Sequence, residues 1–386
     1  MRHNAILFTA LLLAPFHKIP TAQSTDAIAA EFRELVRQGE VIGLQAAAGT
    51  VDGVFLEQAF GRTRPGGGTA VDTQTQFCIG SCSKPFAAVC LLKLVSDGRL
   101  DLDAPIDRWL PAFGRLPIAG DGIASRAPTV RELLSHRAGI YSQKERMTQT
   151  QREAIRDFSH TLKEAVDIIG KQPLLAAPGQ RYAYSGAGYC VAGRVAELVT
   201  GSEFEALLQA QLGRPLGLTR TTFFPDPKEP NLAFGGVSKG GRVVVNPEAP
   251  TAGSSKLRMA LIGGGIHSTA SETLRFARLL LNRGWLGKDR LLPETVWVEL
   301  TRRQHADQDY GLGFRLVFAT DGRTVERMEH GGSLASAKSL LVVDLKRATA
   351  GAVHWTQPAP ENDATRKRIE AIMEHLLAAA SSQRGP

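Results

Sequence analysis

The stretch Cys78-Ile79-Gly80-Ser81-Cys82-Ser83-Lys84-Pro85-Phe86 sets a serine and a lysine three residues apart. Pro85 lacks a backbone N–H and fits only the first turn of a helix. The helix expected from Ser81 to Ser96, closed near Gly98, therefore starts close to Ser81. On it, positions i and i+3 share a face. A serine hydroxyl needs an adjacent base to become a nucleophile. A lysine serves only when its pKa falls from about 10.4 towards neutrality. A drop of roughly 3 units costs about 4 kcal/mol and requires a buried or cation-crowded ammonium. Phe77, Ile79, Phe86 and Val89 are compatible with burial, and the free N–H groups of a helix start suit a developing oxyanion. By itself, S-x-x-K also describes an N-cap serine followed by a surface lysine.

Two further stretches offer partners. Pro178-Gly179-Gln180-Arg181-Tyr182-Ala183-Tyr184-Ser185-Gly186-Ala187-Gly188-Tyr189 reads as a turn, a short aromatic run and a helix start. Tyr184 then stands at the end of a loop, able to point into a cleft. A phenol near a lysine can share its proton and act as acid or base; an aromatic core residue is the other reading. Glu329-His330-Gly331-Gly332-Ser333 falls between two expected strands. Its glycines let a ligand approach a strand edge, and His330 offers a cationic or donor group to bind a carboxylate or orient the tyrosine. A glycine turn with an incidental histidine fits the same pattern.

Around these stretches, residues 26–39 set Ile28, Phe32, Leu35 and Val36 on one helical face. Strand-like runs at 43–50 and 54–60 flank Asp52-Gly53, a hairpin signal. Between 100 and 255, helical periods broken by Pro and Gly predict helices at 129–135, 151–169, 187–200 and 203–211, with another at 269–282. Strand character returns at 312–319, 323–329, 338–344 and 348–355, before a last helix over 361–379. Strands joined by tight turns imply an antiparallel sheet. The expected fold is α/β (α+β), an antiparallel sheet flanked by helices. Residues 24–100 and 256–380 form that lobe, and a mainly helical lobe, 101–255, is inserted. A length of 386 residues agrees with more than one core.

Composition narrows the partners. With 43% hydrophobic and 22% charged residues the chain is globular. The net charge of +8 comes without a basic block beyond Thr365-Arg366-Lys367-Arg368, so nucleic acid is not an expected partner. Arg2 precedes an apolar run from Ala5 to Phe16, shorter than the roughly 20 residues of a membrane span. Small residues follow at Thr21, Ala22 and Ser24, which predicts a signal peptide over 1–23 and export to the periplasm or the exterior, with no integral membrane span. Cys78, Cys82, Cys90 and Cys190 show no C-x-x-C spacing and read as small buried hydrophobes, with a Cys90–Cys190 bridge as the alternative in an exported protein. The nine histidines form no H-E-x-x-H pattern, and neither metal nor cofactor is expected. No G-x-S-x-G pentapeptide occurs, which argues against an α/β-hydrolase.

In this order, the three stretches resemble the penicillin-recognising serine hydrolases: class C β-lactamases, DD-carboxypeptidases, D-aminopeptidases and β-lactamase-like esterases. The likeness runs from about 25 to 357 and includes Asp97-Gly-Arg-Leu-Asp-Leu-Asp-Ala-Pro, Leu133-Leu-Ser-His-Arg-Ala-Gly, Gly263-Gly-Gly-Ile-His-Ser-Thr-Ala and Tyr310-Gly-Leu-Gly-Phe. The family pattern is S-x-x-K, then Y-S-N or Y-x-N, then K-T-G, H-x-G or W-x-G. The resemblance implies acyl transfer through an acyl-Ser81 intermediate. Its catalytic set is Ser81, Lys84, Tyr184 and His330; its oxyanion amides belong to Ser81 and Ser333; Ser185, Gly186, Gly331 and Gly332 are substrate-binding positions. His136, in the Ser-His-Arg-Ala-Gly stretch, reads as a satisfied structural histidine. Two positions depart from the pattern. His330 stands where class C β-lactamases usually have lysine. Gly186 stands where an asparagine normally contacts the amide of a substrate's side chain. With Gly186, small esters are favoured over β-lactams and acyl-D-Ala-D-Ala, unless a residue of the 136–150 loop supplies the donor. A small-molecule or peptide substrate is implied: an ester, a D-amino-acid peptide or a β-lactam. The competing reading is a non-catalytic binding protein on the same fold.

Overall fold

The computed structural model describes residues 24–250, 257–360 and 363–382. The leader expected over 1–23 lies outside them. Seven strands make the main sheet: β1 (Gly43–Gly49), β2 (Val54–Arg64), β3 (Gly67–Ala70), β4 (Arg315–Phe318), β5 (Val325–Leu334), β6 (Ala337–Asp344) and β7 (Thr349–Thr356). Their order is β4-β5-β6-β7-β1-β2-β3. All six pairings are antiparallel. Gly43 of β1 lies opposite Thr356 of β7 and Gly49 opposite Ala350, so the two ends of the chain close one sheet.

Burial on both faces explains the composition of the central strands. β1, β6 and β7 are buried along their whole length. One face is covered by two helices, α1 (Thr25–Arg37) and α7 (Asp363–Ser382). Ile28, Phe32 and Leu35 of α1 and Ile369, Met373 and Leu376 of α7 pack with Leu44, Val353 and Trp355 there. The other face meets a third helix, α6 (Ala270–Leu281). That helix joins α2 (Ser83–Ser96) through the stacked rings of Phe86 and Phe276, 3.9 Å apart.

The intervening chain carries α3 (Gln149–Arg156), α4 (Leu162–Ile169) and α5 (Gly186–Thr200). The single helix expected over 151–169 is thus two. Asp157 accepts from the Ser159 amide at 3.0 Å and its hydroxyl at 2.6 Å, and Thr161 with Glu164 forms a capping box that starts α4. The helix expected at 203–211 is shorter, Phe204–Leu208, and passes into a wider turn over Gln209–Gly213. The segment read as mainly helical also holds a hairpin, Gly236–Lys239 with Arg242–Val245, paired to Pro358–Ala359. No Cys90–Cys190 bridge forms: all four cysteines are free and buried. Among the described residues no helix is long and apolar enough to cross a membrane.

Candidate active site

Ser81 sits in a 3₁₀ turn, Gly80–Cys82, that runs straight into α2. Ser83 fixes this turn, donating to the Gly80 carbonyl at 2.7 Å and accepting from the Ile266 amide at 3.0 Å. The turn then packs backbone against backbone on β5. Gly80 has φ of +51°, and a Cβ there would meet the Ser333 nitrogen at 2.5 Å. A Cβ on Gly332 would meet the Ile79 carbonyl oxygen at 2.0 Å and Ser339 Oγ at 2.2 Å. Only glycine permits this approach, which brings the Ser81 turn against the Ser333 backbone. His330-Gly331-Gly332 therefore lies inside one long strand rather than in a turn between two. The glycines serve contact with the nucleophile turn, a tertiary requirement that a glycine pair does not distinguish from a turn.

Lys84 is fully buried. Its Nζ donates to Ser81 Oγ at 3.2 Å and to the Gly263 carbonyl at 2.7 Å. It also lies 4.6 Å from the centre of the Tyr184 ring. Burial, aided by the charges of Arg156 and Lys144, pushes its pKa down to about 7, while Cys190 and Cys82 act in the opposite sense. Tyr184 follows a loop and precedes Ser185, the N-cap of α5. Burial raises its pKa above the ordinary phenol value, and a hydrogen bond with Ser81 opposes that rise.

His330 takes a different part from the cationic one considered above. Its Nε2 lies 3.0 Å from the Tyr310 hydroxyl and its Nδ1 2.8 Å from the Gly331 carbonyl. These partners assign the proton to Nδ1 and make Nε2 an acceptor. Burial first, then the charge of Lys84, brings the pKa down to about 3, so the ring is neutral at pH 7. Ser185, expected among the substrate-binding positions, is buried, and its hydroxyl donates to the Tyr141 carbonyl at 2.7 Å and accepts from Gly188 N–H at 2.9 Å. Ser333 is exposed and faces the cleft with Gly331 and Gly332.

Two residues enter that the motifs did not name for these tasks. His136 clamps the Tyr184 loop from both sides. Its carbonyl accepts from the Ala183 amide at 2.8 Å and its Nδ1 from the Ser185 amide at 3.0 Å. Its ring centre lies 4.3 Å from that of Tyr184 and 4.6 Å from that of Tyr310. Nδ1 is satisfied as expected, but among the described residues the buried Nε2 has no hydrogen-bond partner. The second residue is Gln143. Its Oε1 accepts from the Gly186 amide at 2.8 Å, and a Cβ on Gly186 would come within 3.4 Å of its Nε2. Gln143 thus lays a carboxamide beside the position where the asparagine is missing, and the Gly186 N–H fixes its orientation. The sequence signal was only that the 136–150 loop precedes the tyrosine motif; nothing in its spacing singles out Gln143. The cleft that collects Ser81, Gln143, Tyr182, Tyr184, Tyr310 and His330 has a volume of about 910 Å³. Among the described residues no group of three or more His, Cys, Asp or Glu side chains could hold a metal ion.

Comparison with known proteins agrees with this geometry. The Beta-lactamase family model matches residues 28–374. The chain belongs to the Beta-lactamase family. Among curated proteins, penicillin-binding protein 4 of Amycolatopsis lactamdurans is 31% identical over 240 residues, 62% of this chain and 59% of that protein. Esterase EstB of Burkholderia gladioli is 32% identical over 213 residues, 52% of this chain and 53% of that protein. The chain spans less than two thirds of the length of both relatives. A solved D-stereospecific amidohydrolase from Streptomyces sp. superposes with a TM-score of 0.66 at 27% identity, covering 90% of this chain and 98% of that one. The family is one of hydrolases on the fold shared by β-lactamases and penicillin-binding proteins.

Proposed function

We propose that the protein is a serine hydrolase that forms an acyl-Ser81 intermediate on esters or D-amino-acid peptides and amides. The observation that carries this reading is a fully buried lysine, its pKa near 7, with Nζ 3.2 Å from Ser81 Oγ. At pH 7 much of Lys84 is unprotonated, whereas the raised pKa of Tyr184 keeps its phenol neutral. Lys84 is accordingly the base and Tyr184 the donor, although the two titrate as a coupled pair. Ser81 Oγ attacks the substrate carbonyl carbon while Lys84 takes its proton. The amides of Ser81 and Ser333 stabilise the oxyanion. The tetrahedral intermediate then collapses, and the leaving group departs with a proton relayed through Tyr184. Water attacks the acyl group, Lys84 again accepts the proton, and the acid is released with Ser81 restored.

The carboxamide of Gln143 alters the expected selectivity. The preference for small esters rested on Gly186 leaving an amide carbonyl without a donor, a loss of about 1–3 kcal/mol. Gln143 stands where it can be that donor, which keeps D-peptides and amides among the substrates. The test of the function is the Ser81→Ala protein. It should lose hydrolysis of p-nitrophenyl esters and all labelling by a fluorophosphonate; label that persists would remove Ser81 as nucleophile. We also propose export, on the Arg2 and Ala5–Phe16 pattern. N-terminal sequencing of protein from its host should then start near residue 23, and a start at Met1 or Arg2 would refute it.

A further inference from the structure

Two buried serine hydroxyls hold the consecutive peptide groups that lead into Ser81. Ser339 of β6 donates to the Ile79 carbonyl at 2.6 Å. Ser83, the first residue of α2, donates to the Gly80 carbonyl at 2.7 Å and accepts from the Ile266 amide at 3.0 Å. A serine at a helix start often bonds a carbonyl of the preceding turn. Here that carbonyl belongs to the peptide that carries the Ser81 N–H. A trans peptide is planar, with its C=O and N–H pointing in opposite directions. Fixing the Gly80 oxygen therefore fixes the line along which the Ser81 N–H points. A hydrogen bond to the carbonyl also polarises the peptide and strengthens its N–H as a donor.

Gly80 explains why the peptide needs such a hold. Contact with the Ser333 nitrogen excludes a Cβ there, and glycine restricts backbone rotation least. The residue that permits the close approach is thus the one that would let the oxyanion amide swing. On its other side, Ile79 N–H donates to the Ile266 carbonyl at 2.9 Å. The Ile79 carbonyl accepts from Cys82 N–H at 3.1 Å as well as from Ser339, so Ser339 holds the oxygen on which the 3₁₀ turn closes.

We propose that Ser83 and Ser339 are positioning residues of the oxyanion hole, aiming the Ser81 N–H at the developing oxyanion through the Gly80 and Ile79 carbonyls. This rests on the hydrolase reading. Neither hydroxyl makes or breaks a bond in the reaction, and an interaction that matters only in the transition state is lost from kcat rather than from substrate binding. The segment from Gly263 to Ile266 reaches both the base and the clamp: Gly263 accepts from Lys84 at 2.7 Å, and Ile266 donates to Ser83 at 3.0 Å. A loss that acts through the amide is told from one that acts through Lys84 by its pH dependence.

The test follows hydrolysis of p-nitrophenyl butyrate by Ser83→Ala, Ser83→Thr and Ser339→Ala. Ser83→Ala should lower kcat at least ~10-fold with KM within about twofold, below the ~10²-fold scale of an oxyanion donor removed outright. Ser83→Thr keeps the hydroxyl and should recover most of kcat. Ser339→Ala, one peptide further away, should lower kcat at least ~3-fold. The inflection of kcat/KM near pH 7 should stay in place in all three. Inhibition by benzeneboronic acid reads the amide directly. Ser81 Oγ adds to boron, Lys84 takes the proton, and the tetrahedral adduct sets an oxygen on the same N–H groups. Its Ki should rise as kcat falls. An unchanged kcat in Ser83→Ala, a loss carried by KM, a shifted inflection, an unchanged Ki or a threonine no better than alanine overturns the proposal. If Ser83→Ala does not fold, Ser339→Ala decides on the same measurements. An unaltered protein that neither hydrolyses the ester nor is labelled by a fluorophosphonate would sink the hydrolase reading and the clamp with it, whereas full activity in the alanine variants sinks the clamp alone.

Discussion

Lys84 carries an ammonium group into a fully buried position whose hydrogen-bond partners, among the described residues, are a hydroxyl and a carbonyl. Its pKa falls from 10.5 to about 7, so the unfolded chain binds this proton more tightly than the folded one. Stability from this group is complete above pH 10.5, declines as the pH falls towards 7, and is level below that. Lys84→Met should therefore abolish turnover yet raise stability at pH 7 by about 1–3 kcal/mol, with little gain near pH 10. Urea unfolding at both pH values measures this; a variant less stable at pH 7 would contradict it. The same group sets a rising limb in kcat/KM, with an inflection near pH 7 as Lys84 loses its proton. His136 is the second residue with a definite expectation. It has φ of +61° and accepts the Ser185 N–H. Asparagine tolerates that conformation and keeps an acceptor, whereas leucine does neither. His136→Leu should lower kcat at least ~10-fold and stability by about 1–3 kcal/mol, and His136→Asn should recover most of kcat. Equal losses in both variants would show that the acceptor does not position Tyr184.

At the scale of elements, the contact between the Ser81 turn and β5 is the sensitive one, and its two neighbouring glycines differ. A Cβ on Gly332 would strike a backbone carbonyl at 2.0 Å. A Cβ on Gly331 would meet the tip of the Arg366 side chain at 2.5 Å, which can swing away. Gly332→Ala should cost about 3 kcal/mol or more and most of the activity, since the turn must leave the strand. Gly331→Ala should cost less than about 1 kcal/mol. Thermal unfolding of the pair decides it; similar losses would mean the strand does not hold the turn. Elements with local signatures were legible. α1 shows its apolar stripe, and Asp52-Gly53 marks the first hairpin, where Thr50 N–H donates to Gly53 at 2.9 Å. The break between α3 and α4 was missed: the apolar period runs across it, although Thr161 and Glu164 have the spacing of the capping box found there. The hairpin at 236–245 was not legible, because its partner, Pro358–Ala359, lies over a hundred residues away.

At the scale of the whole molecule, the Ser81 turn and the helices α1 and α7 pack on different apolar clusters. Phe32, fully buried, belongs to the cluster under α1 and α7, whereas Ile79, Cys82 and Tyr189 belong to the core around the site. Phe32→Ala should cost about 3–5 kcal/mol while leaving kcat per folded molecule within about twofold. Denaturant unfolding with active-site titration checks both. A large change in kcat would mean that the sheet transmits packing changes from one layer to the other.

The sequence by itself determined the Ser81–Lys84 pair, the order of the three motifs, the resemblance to the family and the antiparallel sheet closed by both chain ends. These follow from spacing within a few residues and from the period of apolar positions, both of which are local. The tertiary structure decided the electrostatics and the walls of the site. The depressed pKa of Lys84 depends on burial and on Gly263, 179 positions away. The neutrality of His330 depends on its enclosure and on Tyr310. Gln143 beside Gly186 arises where a loop and a helix meet in space. Burial and charge sum contributions from residues distant along the chain, so no local pattern records them.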